Sequence, residues 1–363
     1  MSTRKLRLTF TLSSLRLSGG VKLVIEYANR LADRGHTVSL VVPRGSVDPP
    51  LKQQLFPSVH LCESNMPLPR RAATPIALLR LVLSLAQATP PSDVIIATHT
   101  PTVLPVTLAS AYQRAPRVWL YMDYPEMFQG RPFERWLLKN APDWFHGIAA
   151  ISRPLTREVK NLTRKSITAY IGAGLPHREY MLGQSHRPSK DQQLVLCMTD
   201  SRPRKGFADF LKAAEIIHAQ QQNVKFIIVS KHPLAIPNSP CYKLYVAPSD
   251  EKLVQLYCKS DIFVFPSWQE GLGYPPLEAM ACGVPTVLTD SGGVQDYAQD
   301  SYNCLLVPPK QPRIMADAIL RLLSDPQLAH HLAKNGRETA WQYNWSDAVE
   351  RFESLLTMIV QGR

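Results

Sequence analysis

Two glutamates eight positions apart, Glu270 and Glu278, are the residues whose types and spacing best suit chemistry in this chain of 363 residues. The loop between them contains Gly271 and Gly273, and a glycine backbone can approach a sugar or a phosphate closely. Two prolines then favour a helix start, which places Glu278 in the first turn, where the helix dipole favours an ionised carboxylate. Such a carboxylate can accept hydrogen bonds from the diol of a ribose. A plain helix cap is the simpler alternative for a single glutamate at this position.

A second group combines three cations with a glycine in the order Arg202-Pro203-Arg204-Lys205-Gly206. It lies between a predicted strand and a predicted helix, so its charges stand beside the free N–H groups of a helix N-terminus. Charge and N–H donors together are suited to binding a diphosphate. An ordinary solvated basic turn is the alternative for these residues.

Further candidates lie in the first half of the chain, where predicted strands end. Gly19 and Gly20 join the first strand to the first helix, His99 follows an apolar strand, and Asp123 and Glu126 follow another. The carboxyl ends of strands border the ligand crevice of a doubly wound sheet, although a single histidine there is often structural. The fingerprint G-x-G-x-x-G is absent at the first turn, which argues against a hydride-transfer enzyme.

The elements that must position these residues are short β-branched runs alternating with amphipathic segments, a pattern typical of βα units and a parallel sheet. The first series predicts a clear helix at 21–34 and strands at 6–12, 37–42, 93–98, 117–121 and 147–151. A second series predicts strands at 194–199, 225–230, 243–246, 261–265, 284–289 and 304–307. The sequence therefore predicts two α/β domains of the doubly wound type.

The polar stretch 177–193 resembles a linker and suggests where the two domains divide. We expect an N-terminal domain over 1–172, completed by a C-terminal helix at 341–363, and a second domain over 173–340.

The stretch 265–285 resembles the E-x7-E signature of family 4 of the retaining GT-B glycosyltransferases, with Glu270 and Glu278 as its two acids. The segments 291–293 and 305–308 and Asn303 are also similar to that family, and the two-domain layout covers almost the whole chain. The resemblance implies the GT-B fold, in which two Rossmann-like domains face each other across a cleft.

The resemblance also implies roles for the residues of the second domain. Glu278 would bind the ribose of a nucleotide sugar, Glu270 would hold the donor sugar, and Lys205 would bind the diphosphate. The family usually carries an arginine five residues before this lysine, where Asp200 stands here, so either Arg202 or Arg204 would supply the guanidinium. The backbone of the signature loop would contact the sugar as well, over Gly271, Leu272, Gly273 and Tyr274.

In the first domain, Gly19 and Gly20 resemble the glycine loop that touches the donor phosphate, and His99 matches the active-site histidine near the donor sugar. Asp123 and Glu126 are candidates for the acceptor side. With Lys205 and Glu270, His99 completes the predicted catalytic set.

The implied reaction transfers a sugar from a nucleoside diphosphate sugar, with a UDP-sugar favoured, to a hydroxyl of a glycan, a lipid-linked saccharide or a glycolipid, with retained configuration. No cofactor and no nucleic acid partner are expected. The chain has no Asp-x-Asp motif, so we expect a metal-independent enzyme in which Arg, Lys and helix dipoles stabilise the leaving group. A nucleotide-sugar epimerase on the same scaffold and a non-catalytic subunit that binds a nucleotide sugar or glycan are the alternatives.

The net charge of +12 belongs entirely to the first half, where residues 1–172 hold 22 Lys and Arg against 10 Asp and Glu. There Arg70 and Arg71 precede an apolar segment at 75–88 with helical spacing, too short to span a bilayer. The segment is either a core helix or one that lies on an anionic membrane face. The second reading predicts peripheral contact with the inner membrane and a lipid-linked acceptor. The six scattered cysteines are expected to be reduced thiols of a cytoplasmic protein.

Overall fold

The computed structural model describes the chain over residues 4–68, 74–175 and 192–362. The predicted linker up to residue 191, Arg70 and Arg71 lie outside the described residues. The chain divides into two units, one formed by Met1–Ala173 with Ser346–Arg363 and the other by Gly174–Trp345.

The first unit is a parallel sheet with helices on its connections, in agreement with the predicted fold class. Its described strands are β1 (Arg7–Thr11), β2 (Thr37–Arg44), β3 (Val59–Pro67), β4 (Val94–Ala97), β5 (Arg117–Tyr121), β6 (Gly147–Ala150) and β7 (Ile167–Tyr170). Its described helices before the second unit are α1 (Gly19–Asp33), α2 (Pro49–Gln53), α3 (Pro75–Ala88), α4 (Val103–Gln113), α5 (Pro132–Asn140) and α6 (Arg153–Leu162).

The strands of this sheet are ordered β3-β2-β1-β4-β5-β6-β7, and all neighbours are parallel. The order reverses between β1 and β4, because the chain returns from the β3 edge to the other side of β1. Ligands of doubly wound folds bind outside the carboxyl ends of the strands at such a point. The segments that follow β1 and β4, which carry Gly19, Gly20 and His99, therefore lie at the edge where a ligand is expected.

The second unit repeats the plan. Its described strands are β8 (Gln193–Thr199), β9 (Val224–Ser230), β10 (Tyr242–Val246), β11 (Ile262–Phe265), β12 (Thr286–Thr289) and β13 (Leu305–Val307), in the parallel order β10-β9-β8-β11-β12-β13. Its described helices are α7 (Phe207–Gln220), α8 (Asp250–Lys259), α9 (Tyr274–Ala281), α10 (Pro312–Ser324) and α11 (Pro326–Trp341). The order reverses between β8 and β11, so the basic turn after β8 and the glutamate loop after β11 meet at one edge.

The chain returns to the first unit at Ser346, inside helix α12 (Trp345–Gln361), rather than at residue 341 as expected. The difference arises because α11 continues to Trp341 and the residues after it stay with the second unit. The backbone N–H of Leu175 donates to the carbonyl of Tyr343 at 2.8 Å, which joins the two segments there.

Helix α12 is held in the first unit by an apolar contact and an ionic one. The ring of Phe352 packs edge-on against Tyr27 and Phe10, with centroids 5.2 and 6.2 Å apart. Glu353 accepts a hydrogen bond from Arg34 at 2.7 Å. These contacts make the C-terminal helix part of the first core.

All strands predicted from the sequence are present, with ends shifted by at most two residues. The pattern does not predict β3 and β7, which are the two edge strands of the first sheet. Their side chains are largely part-exposed and mixed in polarity, because an edge strand has a neighbour on one side only. Such strands lack the apolar run of a central parallel strand.

Candidate functional site

The backbone around Glu270 is fixed by the loop that follows β12. The N–H of Glu270 donates to the carbonyl of Ser291, and the N–H of Gly293 donates to the carbonyl of Glu270, both at 2.9 Å. A Cβ on Gly293 would stand 2.4 Å from the carbonyl oxygen of Glu270. Only glycine permits this approach, so the Ser291-Gly-Gly293 segment positions the glutamate.

The side chain of Glu270 is paired with two cations of the basic turn. Its Oε1 accepts a hydrogen bond from Lys205 Nζ at 2.5 Å and lies 3.9 Å from Arg204 Nη1. Burial alone would raise the pKa of Glu270, but the charges of Lys205 and Arg204 outweigh it and hold that pKa below its usual value. The site therefore contains an ionised carboxylate and two cations at neutral pH.

The basic turn is itself fixed against the glutamate loop. Gly206 has a left-handed backbone (φ +65°), and a Cβ there would stand 2.0 Å from the carbonyl oxygen of Pro266. The N–H of Trp268 donates to the carbonyl of Arg204 at 2.7 Å, and Thr199 donates to that of Lys205 at 3.0 Å. The two loops thus form one structure at the carboxyl ends of β8 and β11.

The structure separates the two arginines that the sequence leaves as alternatives. Arg202 is exposed and forms an ion pair with Asp200, with Nη2 2.5 Å from Oδ2. Arg204 is largely buried and donates to the carbonyl of Gln269 at 2.8 Å. Arg204 is therefore grouped with Lys205 and Glu270, whereas Arg202 is held by the residue that replaces the family's usual arginine.

Glu278 lies in the second turn of α9, and the expectation of a first-turn position is wrong. The helix begins at Tyr274, so the two prolines occupy its second and third positions and Glu278 its fifth. Its orientation comes instead from Tyr257 of α8, whose hydroxyl donates to Glu278 Oε2 at 2.8 Å. Sequence reasoning missed Tyr257, because the partner lies on another helix and no local pattern marks it.

The remaining residues of the signature loop present backbone rather than side chains. Gly271, Leu272 and Gly273 are buried, and Leu272 is 2% exposed. Gly273 has a left-handed backbone (φ +81°), and its carbonyl accepts a hydrogen bond from Tyr297 at 2.7 Å. Tyr297, which sequence reasoning also missed, therefore fixes the turn directly before Tyr274.

In the first unit, the structure brings Gly20 and His99 together. A Cβ on Gly20 would stand 3.0 Å from His99 Nε2 and 3.6 Å from the Met122 sulfur. A Cβ on Gly19 would meet no atom within 4 Å, so this position faces open space. Ser18 accepts from the N–H of Val21 and starts α1 directly beside this contact.

The hydrogen bonds around His99 indicate its tautomer. The hydroxyl of Thr98 donates to the carbonyl of Thr11 at 2.8 Å, so its oxygen accepts from His99 Nδ1 at 3.0 Å. Nε2, which faces Gly20, then carries the lone pair. Burial lowers the pKa of His99, and the negative charge of Asp123 offsets this only in part. His99 is therefore neutral at neutral pH.

The two acceptor-side candidates differ in their surroundings. Asp123 is half-buried and near enough to influence His99, whereas Glu126 is exposed. Glu158 of α6, which sequence reasoning missed, lies near Glu126, and burial together with the Glu126 charge raises the pKa of Glu158 to about 7. Nothing in the sequence marks Glu158, since it lies in an ordinary amphipathic helix.

Over 4–68, 74–175 and 192–362, no three His, Cys, Asp or Glu side chains converge in a group that could hold a metal ion. No helix within those ranges is long and apolar enough to cross a membrane.

Comparison with protein families gives two matches that follow each other along the chain. Residues 17–168 match the model of glycosyltransferase family 4, and residues 182–339 match the model of the group 1 glycosyl transferases. The second match includes the basic turn, the signature glutamates and the loop around Gly293.

Individual relatives match over part of their length. The chain is 29% identical over 176 residues to an N,N'-diacetylbacillosaminyl-diphospho-undecaprenol α-1,3-N-acetylgalactosaminyltransferase of Campylobacter jejuni, which is 47% of this chain and 46% of that protein. It is 36% identical over 116 residues to a D-inositol 3-phosphate glycosyltransferase of Corynebacterium urealyticum, covering 31% and 27%. The chain thus spans less than half the length of these relatives.

Solved structures match over nearly the whole chain. HepE of Anabaena, solved with UDP and glucose, superposes with a TM-score of 0.76 at 20% identity, covering 96% of this chain and 99% of HepE. Sucrose-phosphate synthase of Thermosynechococcus elongatus gives 0.77 at 17% identity, covering 99% and 100%. At these identities the likeness establishes a shared fold.

Proposed function

The chain belongs to glycosyltransferase family 4 and has the GT-B fold, and from that membership we propose that it transfers a sugar from a nucleoside diphosphate sugar to a hydroxyl acceptor. The observation that carries the proposal is the buried cluster of Glu270, Lys205 and Arg204 at the carboxyl edge of the second sheet. A buried carboxylate with two cations suits a ligand that combines hydroxyls with a diphosphate. HepE was solved with UDP-glucose, which favours a UDP-sugar as the donor here.

In this proposal Lys205 and Arg204 bind the diphosphate. Lys205 has three N–H donors and gives one to Glu270, so two remain for phosphate oxygens. As the bond between the sugar and the diphosphate breaks, negative charge grows on the leaving group, and fixed cations stabilise that charge without a metal ion. Arg202, held by Asp200, has no direct part.

Glu270 and Glu278 bind the two sugars of the donor. Glu270 is ionised, so it accepts hydrogen bonds from hydroxyls of the transferred sugar while it orients Lys205. Glu278, oriented by Tyr257, binds the ribose diol. In the first unit, we propose His99, with its lone pair on Nε2, as the sugar-binding residue, and the open position of Gly19 as room for phosphate.

We propose that the configuration at the transferred carbon is retained. The resemblance to a retaining family supports this. Because Glu270 is held in an ion pair with Lys205, we infer that it does not act as a nucleophile to form a covalent glycosyl-enzyme. The departing diphosphate would then take the proton of the acceptor hydroxyl. NMR of the product anomer tests this step, because an inverted product contradicts it.

We propose that the acceptor is bound at an anionic membrane surface. The observation behind this proposal is the exposed apolar face of helix α3. Its Ile76, Leu78, Leu79 and Leu83 are between 41% and 65% exposed, which supports a surface role for α3. The neighbouring α4 exposes Tyr112 as well, at 89%. An apolar face of this kind on a surface helix suits the boundary between headgroups and acyl chains.

The sequence around α3 is basic, which favours an anionic partner. Between residues 64 and 122 the chain has one acidic residue, Asp93, and its carboxylate is paired with Arg7 at 2.9 Å. The same stretch holds five arginines: Arg70, Arg71, Arg80, Arg114 and Arg117. A basic and apolar surface binds anionic lipid by both hydrophobic burial and attraction.

Helix α5 adds aromatic residues to the first unit's surface. Phe133 and Trp136 stack with centroids 6.3 Å apart and are each about half exposed. Arg135 and Lys139 of the same helix accompany them, whereas Arg131, which precedes the helix, forms an ion pair with Glu134. Trp and Phe beside cations are typical of an interfacial helix. We therefore propose a lipid-linked saccharide or glycolipid as the acceptor.

Turnover tests the proposal against its alternatives. The purified protein is screened against nucleoside diphosphate sugars by thermal shift, since a bound ligand stabilises by mass action. UDP release is then measured with membrane extract as acceptor, in buffer with EDTA. A glycosyltransferase consumes donor only with acceptor, an epimerase changes the sugar without one, and a non-catalytic subunit binds donor without turnover.

A further inference from the structure

A cavity of about 360 Å³ lies in the second unit, away from the donor site. It is lined by Gln193, Asp261 and Pro285, which stand at the amino ends of β8, β11 and β12. The glutamate loop stands at the carboxyl ends of the same strands. The cavity is therefore separate from the cluster around Glu270.

Two cysteines from different helices meet in this cavity. Cys258 lies in the last turn of α8, and Cys282 directly follows the last residue of α9. Both side chains line the cavity, and the two thiols are close enough to influence each other's ionisation. Cys258 is half-buried, whereas Cys282 is only 5% exposed, so a reagent in the cavity reaches Cys258 first.

The surroundings make Cys258 the reactive member of the pair. The neighbouring Cys282 thiol and the positive charge of Arg337 lower the pKa of Cys258 to about 7, although burial opposes them. The neighbouring Cys258 thiol and burial raise the pKa of Cys282. The other titratable groups that line the cavity are Asp261 and His330. A thiol near neutral pKa is partly ionised at pH 7, and the thiolate is the nucleophile.

The remaining cysteines show that this setting is specific. Cys62 has a similar half-buried position, but burial raises its pKa. Burial likewise raises the pKa of Cys197 and Cys304. Cys62 is therefore a matched control for exposure without activation.

We propose that Cys258 and Cys282 form a modification site at which a low-molecular-weight disulfide closes an intramolecular Cys258–Cys282 disulfide. The Cys258 thiolate, having lost its proton to solvent, attacks one sulfur of the small disulfide and expels one small thiolate. Cys282 then attacks Cys258 in the mixed disulfide, its proton passes to solvent or the leaving sulfur, and the second small thiol departs. Two protein thiols are oxidised and one small disulfide is reduced to two thiols.

The disulfide would alter the donor site through two helices, an effect that rests on the proposed function. Tyr257, the neighbour of Cys258, donates to Glu278, and Cys282 closes the helix that carries Glu278. An S–S bond of about 2.05 Å would tie the end of α8 to the end of α9. We expect this tie to displace Tyr257 and, with it, the ribose carboxylate. The affinity for UDP is expected to fall.

The chemical step is tested on the full chain with oxidised glutathione at pH 7.5, followed by intact mass and peptide mapping. Wild-type protein should lose two hydrogens and yield a Cys258–Cys282 peptide. Cys282→Ser keeps a hydroxyl donor beside Cys258 and should instead retain one glutathione there. Cys258→Ser should show neither product, and Cys62→Ser should behave as wild type. Equal labelling of Cys62 and Cys258, or no linked peptide in wild type, overturns the proposal.

Calorimetry with UDP then separates the two proposals. Oxidation should raise the Kd of wild-type protein severalfold and leave that of Cys258→Ser unchanged. A linked peptide with an unchanged Kd would overturn the effect on the donor site. If the reduced protein binds neither UDP nor other nucleoside diphosphates, the proposed function fails, while the mass result still decides the thiol chemistry.

Discussion

At the scale of single residues, the two arginines of the basic turn provide a built-in comparison for Lys205. Lys205→Ala should lower kcat/KM at least tenfold, because it removes a cation facing charge that grows toward the transition state. The measurement is steady-state UDP release with EDTA present. Arg202→Ala is the matched control, because its guanidinium is held by Asp200, and it should stay within about twofold of wild type. Equal losses in the two variants would contradict the assignment of the diphosphate site.

The two glutamates should separate binding from turnover. Glu278→Ala removes the proposed charged hydrogen-bond partner of the ribose, worth about 1.5–3 kcal/mol, so calorimetry should show UDP affinity falling about tenfold or more. Glu270→Gln should instead lower kcat more than UDP affinity, because we propose that Glu270 contacts the transferred sugar, which free UDP lacks. Tyr257→Phe should reproduce part of the Glu278 effect, since it removes the bond that orients the carboxylate. Unchanged UDP affinity in Glu278→Ala would exclude the ribose role.

At the scale of elements, the close packing of loops makes glycine positions informative. Gly293→Ala should lower the unfolding free energy by about 1–3 kcal/mol, because its Cβ would collide with the carbonyl of Glu270. Gly19→Ala meets no atom within 4 Å and should not lower Tm. If Gly19 faces the donor phosphate, the same variant should nevertheless raise KM for the donor. Thermal unfolding of both variants with one kinetic series tests the two claims together.

Helix α6 carries a carboxylate whose protonation links stability to pH. The pKa of Glu158 is about 7 in the folded chain and about 4.3 unfolded, so its contribution to stability is fully present below the unfolded pKa. It is lost as pH rises through the folded value. Glu158→Gln should therefore raise Tm at pH 8, by about 2 °C or more, and change it little at pH 5. Glu126→Gln should give a smaller rise at pH 8, since that charge is the second cause of the shift.

The sequence predicts an element or a site residue well where the pattern of neighbouring residue types is enough to specify it. Central strands such as β5 are predicted residue by residue, because buried parallel strands are continuous apolar runs. Glu270 and Lys205 are predicted by type and position, but their ion pair joins residues 65 positions apart and depends on β8 lying beside β11. No local sequence pattern indicates a role for Tyr257, Tyr297 or Glu158, since their partners come from other elements. The helix start at Tyr274 is decided by the left-handed turn at Gly273, which prolines alone do not locate.

At the scale of the whole molecule, the asymmetry of charge and the exposed apolar helix predict where the protein acts. The first half carries all the excess positive charge, and α3 places Ile76 and Leu79 in solvent at 65% and 59% exposure. The protein should therefore sediment with vesicles that contain anionic lipid and much less with neutral ones. Binding should weaken from low to high salt, because ions screen the electrostatic attraction, while the apolar contribution persists.

Leu79→Glu should reduce the bound fraction at both salt concentrations without lowering Tm, since the side chain is already exposed. Ile314→Glu is the matched control, an isoleucine of the second unit with 43% exposure, and should bind vesicles like wild type. Equal binding to neutral and anionic vesicles would remove the charge argument. Equal losses in the two variants would mean that α3 is not the membrane contact. A soluble glycan would then be the better candidate for the acceptor.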